Sequence, residues 1–361
     1  MSVVRSQHEG LNAVFATVGG RELPLHYGKP ARAHRAVRKV VGVTEMAYGV
    51  VVVAGDDRVD FVDNAVSNRV PREDGRGVYA LLLDPQGAIR TDLFVYNAGE
   101  RLLLFTPPDQ AADLAADWRE KTFIQDVEVR VATDEFGVFG VHGPKATEKI
   151  ASVLNGAAAP DGRFAFERGR MRDRGVTVVR TDNPAGEESY EVVCAAADAD
   201  EVFDALLNHG NLAAPFGTAT WDTLTLEAGT PLFPSELAGV LPNALGLRSA
   251  LDFEKGCYVG QEVVSRVENR GRPDRRLVGL LPETVPESGA TVRAGDEAVG
   301  AVTRAAESPT REEPIALALV DFTLDQDADL TVRVDGEEVP AETTSLPFVE
   351  GGERSGRLPD Y

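Results

Sequence analysis

Apolar positions in this chain follow two rhythms that alternate along it. Residues 34–41 read as helical, and residues 57–68 carry Val59, Val62 and Val66 on one helical stripe. Between them residues 43–54 read as one strand, with four consecutive valines. Residues 78–83 and 88–96 form the two arms of a hairpin. Their turn, Asp84-Pro85-Gln86-Gly87, has proline at its first central position and glycine two residues later, as a β-turn requires. Asn97-Ala98-Gly99-Glu100 turns the chain into a strand over 101–105. Asp109 is placed to cap a helix running to about Lys121. Strands are expected at 127–133 and 136–141, then a helix from Pro144 to a stop at Gly156. Strands at 176–181 and 190–194 flank a turn over 183–188, and a helix follows at 198–208.

From about Arg275 the texture changes. Short β-like runs at 277–281, 298–303, 315–321 and 330–334 alternate with Gly and Asp turns, the pattern of a small barrel. Residues 349–361 are polar and glycine-rich and are expected to be a disordered tail. The expected organisation is therefore an α+β region over 1–274, a β-barrel domain over 275–348, and the tail.

Composition narrows the class. A chain of 361 residues exceeds one average domain. No stretch approaches the roughly 20 apolar residues of a membrane span, and residues 1–10 lack the apolar core of a signal peptide. Two cysteines, Cys194 and Cys257, cannot build a disulfide framework, which points to the cytoplasm. Nor can they supply the four protein ligands that an iron–sulfur cluster normally takes. The formal net charge is −21, and 6 of the 37 basic residues are lysines, leaving 31 arginines. Such self-repulsion is tolerable where salt screens it, the Debye length at 1 M being about 3 Å. Acid excess with scarce lysine suggests a salt-in halophilic archaeon, or else an ordinary acidic protein from a high-GC organism. Either way phosphates would be repelled, so direct nucleic-acid binding is not expected.

The segment that stands out chemically is Lys255-Gly256-Cys257-Tyr258-Val259-Gly260-Gln261-Glu262. Glycines near a cysteine let the backbone take positive φ or approach a ligand, and a nearby ammonium would favour the thiolate. The alternative is a glycine-bounded turn holding a small, inert, buried thiol.

This octapeptide, with Arg266 and Arg270-Gly271 after it, resembles the signature of the YgfZ-type folate-binding proteins, a branch of the glycine-cleavage T-protein (aminomethyltransferase) superfamily. The resemblance extends over nearly the whole chain. Leu23-Pro24-Leu25-His26-Tyr27, followed by His34 and Val37-Arg38, is similar to the superfamily's N-terminal segment. Gly87-Ala88-Ile89-Arg90-Thr91-Asp92 is similar to its hairpin, and Val299-Gly300-Ala301-Val302-Thr303 and Pro347-Phe348 to its barrel. The implied fold is a three-lobed ring around a central hole, two mixed α/β lobes plus the barrel, with folate in the hole.

The resemblance also implies site residues. Asp92 lies in an otherwise apolar strand, where a carboxylate is costly unless it faces a partner or a cavity. It matches the aspartate that contacts the folate amine, and could act there as proton acceptor or electrostatic stabiliser. Glu191, after Tyr190, matches the glutamate that accepts two hydrogen bonds from the pterin, although Ser189 replaces the usual glycine. Cys257, activated by Lys255, would be a reactive thiol at the cavity mouth. Tyr190, Gly256, Tyr258, Gly260, Gln261 and Glu262 complete the implied folate-contacting set. Asp92 and Glu191 have bland alternatives as outward carboxylates on alternating strands. Leu226-Glu227-Ala228-Gly229 resembles a family segment, but Trp221 and Thr225 stand where the transferase pattern has arginines. Arginine is not interchangeable with either where it clamps a carboxylate. Glu227 and His34 are read as structural, Cys194 as core, and no His/Cys pair has metal spacing.

The resemblance thus implies a monomeric tetrahydrofolate-binding protein, using folate, a one-carbon derivative or an archaeal pterin analogue. It would serve the assembly or repair of iron–sulfur enzymes, with a client or assembly protein as partner. The competing expectations are a folate-dependent aminomethyltransferase or demethylase, and a scaffold that has lost its ligand.

Overall fold

In the computed structural model, which describes residues 1–325 and 328–361, helices and two large sheets stack as four layers beside a closed barrel. The first sheet runs Arg76–Leu83, Ile89–Asn97, Arg101–Thr106, Gly49–Ala54 and Glu128–Val131 in spatial order. The second runs Leu154–Asn155, Phe166–Met171, Arg174–Arg180, Ser189–Ala195, Phe136–His142, Gly42–Glu45 and Ala214–Pro215. Arg275–Pro282, Glu313–Asp321, Glu297–Ser308, Thr291–Ala294, Leu330–Val334 and Glu337–Thr344 close the barrel, so the protein has the expected α+β fold.

Alternation along the strands explains the layering. Val51 and Val53 pack outward with Phe61, Leu114 and Trp118 of helices Arg58–Ala65 and Ala111–Arg119. Val50 and Val52 face inward, into a core shared with Val179 and Val193 of the second sheet. The outer face of that second sheet, with Tyr190, Val192 and Cys194, is covered by helices Ala146–Val153 and Ala199–Asn208. The four valines are continuous because both faces of their strand are buried.

Two expectations fail here. Residues 43–54 are not one strand. Gly42–Glu45 belongs to the second sheet and Gly49–Ala54 to the first, and Met46-Ala47-Tyr48 carries the chain across the gap between them. Both halves are buried, so hydrophobicity does not mark the break. Nor is the chain end disordered. Its backbone binds Gly186, Asp182 and Gly246 through Glu353, Gly356 and Asp360, and Ser355 and Arg357 are buried. The Tyr361 hydroxyl accepts from the Leu277 amide at 2.6 Å and donates to the Ala244 carbonyl at 2.9 Å. A polar strand-free segment is ordered here because buried backbone groups elsewhere need its hydrogen bonds.

One carboxylate joins three units. Glu227 ends the helix Thr218–Glu227 and is fully buried. Its Oε2 accepts from His34 Nε2 at 2.8 Å and from Arg38 Nη2 at 2.9 Å, both on helix Pro30–Lys39. Its Oε1 accepts from Ser308 Oγ at 2.6 Å and from the Thr310 amide at 3.2 Å at the end of a barrel strand. Burial alone would raise the carboxyl's pKa; the His34 hydrogen bond and the Arg38 charge overcome it and hold the group at about 2. Removing one partner of such a buried ionic cluster leaves charge uncompensated. Glu227→Ala is expected to destabilise the protein by about 3–5 kcal/mol in urea unfolding; a loss below about 1 kcal/mol would show that the junction is not needed.

Candidate functional site

Where the two sheets face each other they enclose carboxylates. On Ile89–Asn97, Leu93 and Val95 point to the outer helices, while Asp92, Phe94 and Tyr96 point inward. Asp92 is 7% exposed. Its Oδ2 accepts from Tyr79 Oη at 2.9 Å, and its Oδ1 has no partner among the described residues. On Ser189–Ala195 the alternation turns Glu191 inward. Glu191 Oε1 accepts from Tyr48 Oη at 2.6 Å, and its Oε2 is likewise unpartnered and buried. Two buried carboxylate oxygens without hydrogen bonds are unusual enough to call for an explanation.

The wall around them is aromatic. Tyr48 stacks on Phe105 with centroids 5.5 Å apart, and Phe94 lies 5.2 Å from Tyr79. A cavity of about 210 Å³ opens at Asp92, lined also by Tyr48, Phe94, Phe105, Trp221 and Arg357 among others; Glu191 is not in that lining and meets it through Tyr48. That is below the ~300–1,000 Å³ of whole-ligand pockets, so it suits a flat head group rather than a large ligand entire. A larger cavity of about 550 Å³ shares Phe105, but none of its lining residues carries a buried unpartnered polar atom. The smaller cavity is therefore the one with unmet chemistry.

A cation completes the site, and it comes from the chain end. Arg357 is 5% exposed, and its Nε donates to Asp182 Oδ2 at 2.7 Å. The guanidinium sits 5.0 Å from the Tyr79 ring centroid and 5.6 Å from that of Phe94. Burial raises the pKa of Asp92, with Arg357 and the Tyr79 hydrogen bond opposing it. Burial also lifts Glu191 to about 7, against the Tyr48 hydrogen bond. Both carboxyls are thus held in a state where a proton or an N–H donor is welcome.

The other expected site residues lie elsewhere. Tyr190 does not face the cavity: one residue from Glu191, it points to the outer helices, where its hydroxyl meets Thr147 Oγ1 at 2.8 Å. The octapeptide residues line neither cavity. The Lys255 ammonium is engaged on backbone carbonyls rather than on Cys257. It donates to the carbonyls of Asp63, Val66 and Asn68 at 2.5, 2.9 and 2.9 Å, which uses all three of its donors on the end of helix Arg58–Ala65. Three convergent carbonyls suit a compact ammonium better than a planar guanidinium. Tyr258 is buried in the central core. Gly260 takes φ +81° ahead of helix Gln261–Arg270, and a Cβ there would lie 2.6 Å from the Asp84 carbonyl oxygen. Its role is close packing on the hairpin turn. Gln261 reaches the Lys255 carbonyl at 3.4 Å, and Glu262 stands in the first turn of its helix, where a negative charge is favourable. Nothing within 4 Å would block a side chain at Gly256. Cys257 is exposed on this loop, away from the cavity lining, whereas Cys194 is buried.

Sequence reasoning missed Tyr48, Tyr79, Asp182 and Arg357. The hydroxyls of Tyr48 and Tyr79 carry no local motif, and Arg357 lies in a segment whose composition suggests no structure. Beside Thr225 a cation arrives from the barrel. Arg304 reaches Thr225 Oγ1 at 3.1 Å and both oxygens of Glu236 at 3.1 Å, while Trp221 lines the cavity.

Comparison with known proteins gives a consistent picture. Residues 4–255 match the GCVT N-terminal domain, and residues 275–350 match the glycine cleavage T-protein C-terminal barrel domain. The chain is 30% identical over 361 aligned residues to an aminomethyltransferase of Corynebacterium aurimucosum, covering 96% of this chain and 97% of that protein. It is 33% identical to an aminomethyltransferase of Streptomyces coelicolor, covering 94% and 95%. Its fold is similar to the crystal structure of the glycine cleavage system aminomethyltransferase T from Bartonella henselae, with a TM-score of 0.87, 22% identity, and 97% and 98% coverage.

The raised pKa of Glu191 has a measurable cost. In the folded protein the carboxyl keeps a proton that the unfolded chain has already released, so stability falls as pH rises from 4.5 to about 7. At about 1.4 kcal/mol per pH unit the total is about 3 kcal/mol. Glu191→Gln is expected to remove most of that fall, so that in urea unfolding the variant gains on the parent between pH 5 and pH 8. An unchanged difference across that range would mean the carboxyl is not desolvated.

Proposed function

Because the chain belongs to the glycine cleavage T-protein family, we propose that its central cavity binds tetrahydrofolate or a close pterin derivative and serves one-carbon transfer from an amine donor. The observation that carries this reading is a pair of buried carboxylate oxygens without a partner among the described residues: Asp92 Oδ1 in the lining of an aromatic cavity, and Oε2 of Glu191, whose other oxygen is held by the lining residue Tyr48. A planar heterocycle rich in N–H donors is the complement of such a pair, with aromatic faces for its ring.

When bound, the folate would supply the amine nitrogens that carry the one-carbon unit. The chain's own groups divide the remaining work. Glu191, held by Tyr48, accepts ring or amino N–H groups and fixes the orientation of the head group. Asp92, held through Oδ2 by Tyr79, keeps Oδ1 free to accept a proton from a reacting amine or to stabilise positive charge beside it. Its raised pKa brings it closer to the pH at which a general base is effective. Arg357, tied to Asp182, limits how far the carboxyls are neutralised. The enclosing aromatic rings exclude water from the reacting centre.

A second reading has one specific observation in its favour. Cys257 is exposed on a loop that matches the YgfZ-type octapeptide, and Trp221 and Thr225 depart from the transferase pattern. That reading is a role in the assembly or repair of iron–sulfur enzymes, with the thiol meeting a client protein at the surface rather than acting in the cavity.

Two measurements separate these readings. In calorimetric titration with tetrahydrofolate, Asp92→Asn and Glu191→Gln are each expected to weaken binding about tenfold or more, since a hydrogen bond to a charged group contributes about 1.5–3 kcal/mol. No binding by the parent, or equal binding by both variants, would remove the cavity assignment. Cys257→Ala is expected to leave both folate affinity and turnover of a methylamine donor unchanged. If it abolishes support of an iron–sulfur enzyme in cells while folate binding persists, the second reading takes precedence.

A further inference from the structure

The outer wall of the cavity is unusual for a site that would hold a carboxylate-bearing ligand. Its charged lining residues are Glu45, Asp92, Asp222 and Arg357, three carboxyls against one guanidinium. Arg357 is engaged by Asp182 at 2.7 Å. Arg304, the cation that acts on Asp222, is engaged by both oxygens of Glu236. Glu45 is already satisfied by Ser2, the Val3 amide and His8. Among the described residues, the charged groups of the lining with unmet hydrogen-bonding capacity are thus anionic: Asp92 Oδ1 in the depth and the Asp222 carboxylate at the exposed rim.

Beside Asp222 stands a braced aromatic surface. Trp221 packs on His142 with ring centroids 4.9 Å apart. His142 Nδ1 lies 2.9 Å from Ser189 Oγ, and that hydroxyl donates to the Glu187 carbonyl at 3.0 Å. With its hydrogen given to Glu187, Ser189 must accept from His142, which places the imidazole proton on Nδ1. Burial drives the His142 pKa down to about 3, so the ring adds no positive charge. Positions 142, 189 and 221, far apart in sequence, therefore form one wall that is aromatic, rigid and uncharged, with a carboxylate next to it.

We propose that this wall is a specificity device: Trp221 stacks the aromatic stem that follows the pterin head, and Asp222 disfavours a tail carrying carboxylates. The preferred ligand class is then a reduced pterin whose arylamine tail carries as few carboxylates as possible, tetrahydropteroate with its single ring carboxylate rather than a tail ending in glutamyl groups. This rests on the reading of the cavity as a pterin site. An unscreened like charge near a protein surface contributes on the order of 1 kcal/mol, so the expected discrimination is about three- to tenfold in affinity per added glutamate.

The test is titration of three ligands with one head: tetrahydropteroate, tetrahydrofolate, and tetrahydrofolate triglutamate. Affinity is expected to fall in that order. Asp222→Arg is expected to narrow or invert the order. Trp221→Arg is expected to weaken tetrahydropteroate and favour the triglutamate. Equal or tighter binding of the glutamylated ligands by the parent overturns this inference and leaves the pterin site standing. Failure of all three ligands to bind, tetrahydropteroate included, removes the pterin site and this inference with it.

Discussion

Buried ionic groups at the joints between units are the constraint on which this structure depends. Glu227 collects donors from an N-terminal helix and from a barrel strand. Arg304 carries the barrel's charge into the pair with Glu236, and Arg357 carries that of the chain end into the pair with Asp182. Each charge is costly to bury alone, so the units are bound to the one arrangement that pairs all of them. Apolar packing would tolerate small sliding between lobe and barrel; multiply hydrogen-bonded carboxylates do not.

Set against those saturated carboxylates, Asp92 in the cavity lining and Glu191 behind Tyr48 are incomplete. Both oxygens of Glu227 accept from more than one donor, whereas Asp92 and Glu191 each have one oxygen served by a tyrosine and one by nothing among the described residues. The difference appears in their proton affinities: burial raises both, but the His34 hydrogen bond and the Arg38 charge pull Glu227 down to about 2, while Glu191 is left at about 7. Hydrogen-bond supply, not depth, separates a structural carboxylate from one poised for a ligand. The tyrosines hold each carboxylate in place without saturating it, which is how a binding group can be both rigid and available.

The octapeptide illustrates a different division. Its lysine, glycine, tyrosine and glutamine build a loop: Lys255 closes a helix end, Gly260 packs on a hairpin turn, and Tyr258 enters the core. That scaffolding leaves Cys257 at the surface. A motif that looks like a catalytic centre when read linearly is thus mostly the mount for a single exposed thiol. The same economy accounts for Lys149, another of the few lysines, whose ammonium donates to the His209 and Asn211 carbonyls at 2.6 Å. Where arginine is otherwise preferred, lysine persists at points on which several carbonyls converge.

How much was legible in the chain follows from the range of each interaction. Alternation and turn chemistry are local, so the hairpin carrying Asp92 and the strand carrying Glu191 could be placed from sequence, as could the run of barrel strands. Helix Thr218–Glu227 could not be found from periodicity, because it has no polar stripe: Leu224, Thr225, Leu226 and Glu227 are all buried. The break at Met46-Ala47-Tyr48 was invisible because these residues are themselves apolar and the strands on both sides are buried. The sequence by itself determined the α+β class, the barrel, and the two carboxylates worth watching. Only the tertiary structure decided which way each carboxylate faces, that Tyr48 and Tyr79 hold them, and that Lys255 is spent on carbonyls. It alone brought Arg357 into the cavity from the chain's last turn. Apart from Tyr79 and Asp92, which share one face of a single hairpin, these are pairings between residues more than a hundred positions apart, and no local propensity encodes them.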